Sequence, residues 1–379
     1  MKGTGTLRFR LHSTIDAISR EDWERLFGST GPEGWGYHKA FEASGIAGFR
    51  LGYLAAEKAG RPCAVLPFFV TDFSFAVLIR DGLQKTILAL QKAFPSFLKM
   101  RLLFIGLPTA EEFYLGVENG LPLAEVIKPA LQEFSLLMRR EKIGAILFYN
   151  LSPANAELAA CLKKLGFAAM KNYPNTQISL TADSFEKYIE SLSANARKDF
   201  RRKLRNGSRQ AEIKAQLATD IRGCAQEIYR LYKDNYADSE IHFEELTPEF
   251  FLNISRFMPD EAKFFVFSAD GKIVAFNLCL IKGDTCIDKF VGFDRGLSRK
   301  LHLYHATLAH NLRWCLRNNI RFYQMVITDY HPKLRLGARL VPLTVYFHLR
   351  NPVLHFFSPL TARIITPYNF DPDLKKIRL

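Results

Sequence analysis

Apolar residues along the 379-residue chain recur with two alternating periods, and the switches between them set the order of the elements. Leu7 to His12 alternates as a strand does. Ser19-Arg-Glu-Asp22 then opens a short helix with capping-box spacing, Asp standing for the usual Glu. Phe49 to Ala56 and Cys63 to Asp72 are β-rich runs joined by Glu57-Lys-Ala-Gly-Arg61, which predicts a hairpin with a glycine in its turn. Leu83, Ile87, Leu90 and Phe94 repeat at helical spacing, with Lys85 and Lys92 on other faces. Arg101 to Leu107 predicts a third strand, and Leu123, Ile127, Leu131, Phe134 and Met138 form the next helical stripe. Ile143 to Asn150 reads as a buried strand, and Asn155 to Leu165 as a helix closed by Gly166.

The same order returns further along. Lys263 to Ser268, Ile273 to Ile281 and Thr285 to Phe293 predict a meander of three strands joined by the turn signals Asp270-Gly271 and Gly283-Asp284. Leu303 to Arg317 is the next helix and Arg321 to Thr328 the strand after it. Even the joins are alike, Arg140-Glu-Lys-Ile-Gly144 before one strand and Arg317-Asn-Asn-Ile-Arg321 before the other. The repeated order points to an internal duplication at the level of elements. Lys171-Asn-Tyr-Pro-Asn-Thr176, polar and proline-bearing, marks the crossing between the halves; a strand (Gln177 to Leu180) and a helical region from Ser184 to about Arg205 follow. The expected division is residues 1–175, residues 176–350 and a C-terminal extension, residues 351–379.

Composition narrows the class. With 48% hydrophobic and 24% charged residues the chain can bury one large or two ordinary cores, which excludes global disorder. A net charge of +14 favours polyanionic partners such as CoA phosphates, RNA or anionic lipid headgroups. Cys63, Cys161, Cys224, Cys279, Cys286 and Cys315 form no C-x-x-C pair and read as reduced thiols, which suits the cytoplasm. The N-terminal segment lacks the continuous apolar region of a secretory signal. The longest apolar stretch, Leu66 to Ile79, is broken by Asp72 and too short to cross about 30 Å of hydrocarbon. Two apolar segments, Phe94-Pro-Ser-Phe-Leu98 and Val353-Leu-His-Phe-Phe-Ser-Pro-Leu360, are flanked by Lys92, Lys99, Arg101, Arg350 and Arg363, and make a peripheral position at the inner membrane face a further expectation.

Most of the 32 phenylalanines fall in strand or helix core positions, as in Phe264-Phe-Val-Phe267, and read as packing rather than as platforms for bases. No G-x-S-x-G elbow, Walker A loop or dinucleotide fingerprint is present. His302, His305 and His310 have no carboxylate or cysteine at ligand spacing, so no metal is expected.

Antiparallel meander, helix, then a strand entering beside the third strand: this order resembles the GNAT fold of N-acyltransferases. In that family the fourth and fifth strands splay, and the donor's pantetheine arm pairs with the exposed backbone as an added strand would. Leu192-Ser-Ala-Asn-Ala-Arg-Lys-Asp-Phe-Arg-Arg-Lys203, Ile228-Tyr-Arg-Leu-Tyr232 and Tyr330-His-Pro-Lys-Leu-Arg-Leu-Gly337 resemble the Fem-type branch, which includes peptidoglycan aminoacyltransferases built from two GNAT-like halves. The resemblance implies an α/β (α+β) fold of two tandem GNAT-like domains, each a mixed, mainly antiparallel sheet flanked by helices. It also implies transfer of an acyl or aminoacyl group to an amine from acyl-CoA, acyl-carrier protein or aminoacyl-tRNA. The alternatives are a non-catalytic GNAT-like binding protein, and a peripheral membrane protein acting on lipid-linked amines.

Candidate residues follow from the resemblance and from the chemistry. The family's R/Q-x-x-G-x-G/A turn is replaced here by Gly292-Phe-Asp-Arg-Gly-Leu-Ser-Arg-Lys-Leu-His302, which leaves Gly292, Arg295, Gly296, Arg299 and Lys300 to hold a phosphate-bearing donor; the alternative is a solvated basic loop. Arg197 to Arg209 holds seven cations and one acid, with Arg197, Arg201 and Arg205 on one helical face as a cradle for phosphates or as a solvated surface. Fem-type proteins place an aromatic, a lysine and a glycine near the transfer centre, which here fall on Tyr330, Lys333 and Gly337; Lys333 would steady the carbonyl oxygen as it gains charge. Asp288 and Asp329 are the candidate general bases, or else structural partners for Lys289 and Arg321.

Overall fold

The structure is a computed structural model that describes residues 7–28, 33–75, 99–239, 243–327 and 329–376. The helical spacing from Leu83 to Phe94 and the apolar segment ending at Leu98 lie outside the described residues.

The first half contains β1 (Arg8–His12), α1 (Arg20–Phe27), α2 (Trp35–Glu42), β2 (Arg50–Lys58), β3 (Arg61–Ser74), β4 (Lys99–Ile105), β5 (Gly116–Val117), α3 (Leu123–Arg140), β6 (Ala145–Leu151), α4 (Ala156–Lys164) and β7 (Ala168–Lys171). The Ser19 hydroxyl accepts from the Asp22 N–H at 3.0 Å and caps α1, but the Asp22 carboxylate accepts from that hydroxyl and not from the Ser19 N–H, so only the N-cap half of the expected box is seen. Gly166, at φ +83°, closes α4 as its position suggested.

The crossing leads into β8 (Asn175–Ser179), α5 (Phe185–Ser191) and α6 (Ala194–Ser208). The helical region expected from Ser184 is thus two helices, because Leu192 is extended and the Ser193 hydroxyl caps a new start at the Ala196 N–H. Then come β9 (Lys214–Ala218), α7 (Ala225–Asp238), α8 (Pro248–Phe257), β10 (Ala262–Ala269), β11 (Lys272–Lys282) and β12 (Thr285–Phe293). The chain continues through α9 (Ser298–Leu301), α10 (Leu303–Arg317), β13 (Phe322–Met325), α11 (Tyr330–Arg335), β14 (Arg339–Val341) and β15 (Thr344–Leu349). Two short helices, α12 (Pro352–Phe356) and α13 (Ser358–Ile364), follow. β13 stops at Met325, short of the expected Thr328.

The duplication of element order extends to topology. One sheet runs β1-β2-β3-β4-β6-β15-β7 and the other β9-β10-β11-β12-β13-β8-β14. In each, four antiparallel strands are followed by a parallel neighbour, β6 beside β4 and β13 beside β12. The next strand is antiparallel to both its neighbours: β15 lies between β6 and β7, and β8 between β13 and β14. β8 follows the crossing and stays in the second half's own sheet, whereas β15 leaves the second half to complete the first sheet.

Helices cover both faces. α3 and α4 bury Phe134 and Leu162 on one face of the first sheet, beside Leu103 and Phe148. On the second sheet, α5, α6 and α10 share one core with Phe265, Phe267 and Tyr323. Its other face packs α7 and α8 together with Tyr37 and Phe41 from α2 of the first half. Phe264, Phe265 and Phe267 are buried, as the packing reading of the phenylalanines requires.

Because β15 crosses to the first half's sheet and a core is shared, the halves are expected to unfold in one cooperative transition. Calorimetric and van't Hoff enthalpies should agree; two resolved transitions would contradict this coupling.

Candidate functional site

β12 and β13 pair over only four positions, from Thr285 with Phe322 to Asp288 with Met325. Beyond that the strands part. β12 continues to Phe293 against β11 alone, and among the described residues no backbone hydrogen bond joins Lys289–Phe293 to any other segment. The parting coincides with a bulge: Cys279 faces Asp288 and Leu278 faces Phe290, so Lys289 has no partner on β11. On the far side, Met325 O accepts from the Thr176 hydroxyl at 3.0 Å, and Val326 O and Ile327 O accept from the Lys333 ammonium, the latter at 3.3 Å. The carbonyls that would have extended the ladder are thus turned to side chains.

The first half shows the same parting, but its own chain spans the gap. Beyond Ile105 and Phe148, the Phe113 N–H donates to Asn150 O at 2.9 Å and the Asn150 amide donates to Ala110 O at 2.8 Å.

Two polar clusters flank the second parting. On the α10 face, the Asp288 carboxylate accepts from the Asn277 amide at 2.8 and 3.0 Å and from the Tyr323 hydroxyl at 2.7 Å; Tyr323 in turn accepts from the Asn311 amide at 3.0 Å. Burial pushes the Asp288 carboxyl up, while the Asn277 and Tyr323 donors and the Lys333 charge hold the shift back. Burial likewise pushes the Tyr323 phenol up, so its proton stays on the bond to Asp288.

On the opposite face, the Lys289 ammonium meets Glu33 at 2.9 Å, Glu111 at 3.0 Å and Thr109 O, all from the first half. Burial acts to lower its pKa, but the charges of Glu111 and Glu33 outweigh it and hold Lys289 well above its usual value. Tyr37 stands beside it, 5.6 Å from ammonium to ring centroid. Glu244, within reach of the Lys289 and Glu111 charges, is pushed by burial up to about 8.

Lys333 is 7% exposed. Burial lowers its pKa to about 8, with the charges of Asp329, Asp288 and Glu111 working against the fall. Around this centre lie buried polar atoms with no protein partner: Tyr304 OH, Asn311 Oδ1, Asn277 Oδ1, Gln324 Nε2, Asn175 Oδ1, Glu33 Oε2 and Tyr149 OH. Such atoms are rare in a folded interior, and here they lie in both the Asp288 and the Lys289 clusters.

The residues singled out in the sequence separate into groups. Asp288 and Lys333 stand together at the parting. Asp329 is exposed at φ +47° at the start of α11. Tyr330 is fully buried, and its hydroxyl donates to Pro174 O at 3.0 Å, tying α11 to the crossing. The ion pairs considered as alternatives do not form: Lys289 takes Glu33 and Glu111, and Arg321 approaches Asp284 at 3.7 Å.

In the turn after β12, Gly292 is set by packing, since a Cβ there would lie 2.6 Å from the backbone of Leu231 on α7. Arg295 pairs with Asp238, Nε to Oδ2 at 3.1 Å, while Gly296, Arg299 and Lys300 are exposed. Asp294 Oδ1 accepts the Leu297 N–H at 3.1 Å, which puts a carboxylate inside the turn.

Arg197 donates to Glu190 O and Leu192 O and closes the end of α5. Arg201 and Arg205 line a cavity of about 630 Å³ between α6 and α10, with Arg313 and the apolar Phe200 and Phe267. Among the described residues no group of three His, Cys, Asp or Glu side chains could hold a metal ion. Sequence reading missed Glu33, Glu111 and Glu244, because carboxylates in separate loops carry no local pattern that shows their convergence.

Lys289→Met should destabilise the protein by about 3–5 kcal/mol, since it leaves the Glu33 and Glu111 carboxylates buried without their cation. Adding Glu33→Gln and Glu111→Gln should recover a large part of that loss in chemical denaturation. A single variant as stable as the parent would contradict the pairing.

Comparison with known proteins agrees with this architecture. Residues 194–334 match the family described as the acetyltransferase (GNAT) domain. A curated relative, the putative 8-amino-7-oxononanoate synthase 2 of Mycobacterium tuberculosis, is 26% identical over 336 residues. The match takes in 85% of this chain but 43% of the relative, so the chain spans less than half of that protein. Among solved structures, FemX superposes with a TM-score of 0.58 at 11% identity, covering 90% of this chain and 98% of FemX. A tandem GNAT protein from the clavulanic acid biosynthesis pathway gives 0.52 at 12% identity, covering 91% of this chain and 98% of that one. The C-terminal domain of a putative lysylphosphatidylglycerol synthetase from Agrobacterium fabrum gives 0.52 at 12%, covering 93% and 99%. At these identities the structural likeness is one of fold. With the family match over residues 194–334, it shows that this chain contains a region similar to the acetyltransferase (GNAT) domain and shares the fold of FemX and of the tandem GNAT protein.

Proposed function

We propose that the protein is an N-acyltransferase that moves an acyl or aminoacyl group from a carrier to an amine, with its transfer centre where β12 parts from β13. The observation that carries this reading is the unpaired edge of Lys289–Phe293 beside Asp288 and Lys333. The pantetheine arm of an acyl-carrier protein would add to that edge as a short strand, and the aminoacylated end of a tRNA would enter the same gap without strand pairing; either would bring the acyl carbon to the fork.

The chemistry then needs three things. The amine nitrogen attacks the acyl carbon, its proton passes to a base, and the carrier's sulfur or oxygen leaves and takes up a proton. Asp288 is held as a hydrogen-bond acceptor by Asn277 and Tyr323, and burial raises its basicity. Lys333, with a pKa of about 8, is mostly charged at neutral pH and places that charge beside the fork, where the carbonyl oxygen becomes negative. Burial strengthens this attraction because water is excluded.

The turn after β12 supports one class of carrier over another. A pyrophosphate held there would meet the Asp294 carboxylate in the turn, while Arg295 is engaged by Asp238. With a carboxylate in the turn and Arg295 engaged, the exposed Arg299 and Lys300 remain for a diphosphate, and this favours an acyl-carrier protein or an aminoacyl-tRNA over acyl-CoA as the proposed donor.

Transfer to an amine is expected from one of these two donors and not from acyl-CoA; no transfer from any of the three would remove the proposal. With the active donor, Asp288→Asn should lower the rate by about 10²-fold. Lys333 loses its charge as pH rises through about 8, so kcat/KM should fall there, and Lys333→Arg should move that fall to higher pH. Glu244 has the opposite sign: if it were the base, the rate would rise as pH passes about 8. A rising limb abolished by Glu244→Gln would transfer the base assignment from Asp288 to Glu244.

A further inference from the structure

Exposed apolar surface is concentrated near the C-terminal end of the described residues. Phe356 is 79% exposed, Val353 64%, Leu360 60%, Ile364 56% and Phe357 54%. They lie on α12 and α13, where the usual arrangement is inverted. α12 has no buried residue, and the buried residues of α13 are Ser358 and Ala362, so the small side chains face in and the large apolar ones face out.

This surface is held in place. The Leu349 N–H donates to His355 Nδ1 at 3.3 Å, which leaves Nε2 to donate to Gly166 O at 2.9 Å, and the ring stacks on His348 at 3.9 Å. After α13, the Thr366 hydroxyl donates to Lys171 O at 3.2 Å, and the Asn369 amide closes the helix on Arg363 O and Ile364 O. The helices are thereby fixed to the edge of the first sheet beside β7 and β15.

Charge on α12 and α13 has one sign, while at the margin Glu141 pairs with Arg140 at 3.6 Å. From Thr344 to Phe370 the chain contains no Asp or Glu, and it carries Arg350 and Arg363, both exposed. Arg350 donates to Met138 O at 3.2 Å, which brings the basic end of α3, with exposed Arg139 and Arg140, to the margin of the patch. A second copy of the chain docked symmetrically would set these guanidinium groups against one another.

We propose that α12 and α13 seat the protein on an anionic lipid bilayer, lying in the interfacial plane with Phe356, Phe357 and Leu360 below the headgroups and Arg350 and Arg363 among the phosphates. This stands independently of the transfer reaction.

The test is sedimentation of the full chain with phosphatidylcholine vesicles, with and without phosphatidylglycerol, at low and high salt. Binding is expected to the phosphatidylglycerol vesicles and to weaken with salt. Combining Phe356→Ser, Phe357→Ser and Leu360→Ser should reduce partitioning by at least about tenfold. Arg350→Gln with Arg363→Gln should flatten the salt dependence. The thermal transition of the triple variant should match the parent, since the side chains are exposed. The proposal is overturned if the parent ignores phosphatidylglycerol vesicles at low salt, or if the triple variant binds them equally well. It is also overturned if light scattering shows an oligomer that the triple variant dissociates, which would make the patch an interface between copies.

Discussion

The structure turns on one buried ammonium. Lys289 is the extra residue of a bulge in β12, and its charge is balanced by Glu33 and Glu111, both supplied by the first half. An unpaired cation at that depth would be heavily penalised, so the bulge persists only while the other half is docked. The bulge marks the point at which β12 ceases to pair with β13. The geometry of the fork and the association of the halves are therefore one constraint, with Lys289 at its centre.

β15 ties the second half into the first sheet, yet the two halves differ at their partings. Each sheet has the same order and the same parting after its parallel pair. In the first half Asn150 and Phe113 bond across the gap, and the loop that crosses it goes on to present Thr109 and Glu111 to Lys289. One fork is closed by its own chain, and that chain buttresses the other. On the second fork α7 lies close against β12, close enough that Gly292 leaves no room for a Cβ beside Leu231. The edge that remains is narrow, backed by α7 on one face and by the Asp288 network on the other.

Much of this was legible in the sequence. The meander turns, the α10 segment and the Gly166 cap follow from local periodicity and turn chemistry, which short-range forces dictate. Asp288 could be named from its place in the fourth predicted strand, and Lys333 from the likeness of Tyr330–Gly337 to the Fem-type pattern. The crossing of β15 to the first sheet was not legible, since a short strand carries no mark of which sheet it will join. The break at Leu192 and Ser193 was missed because helical spacing runs on through it, although Ser193 is a fair N-cap. Glu33, Glu111 and Glu244 converge from distant loops, and only their common burial around Lys289 distinguishes them from solvated acids. Arg295 read as a phosphate ligand because its partner, Asp238, lies at the end of another helix.

The central claim is that the free edge of β12 receives the donor. Amide hydrogen exchange, followed with the active carrier loaded with a non-transferable acyl group, tests it most directly. The account predicts that amides within Lys289–Phe293 slow on donor binding while those of β10 keep their rate. A bound donor that leaves Lys289–Phe293 exchanging as before would contradict it.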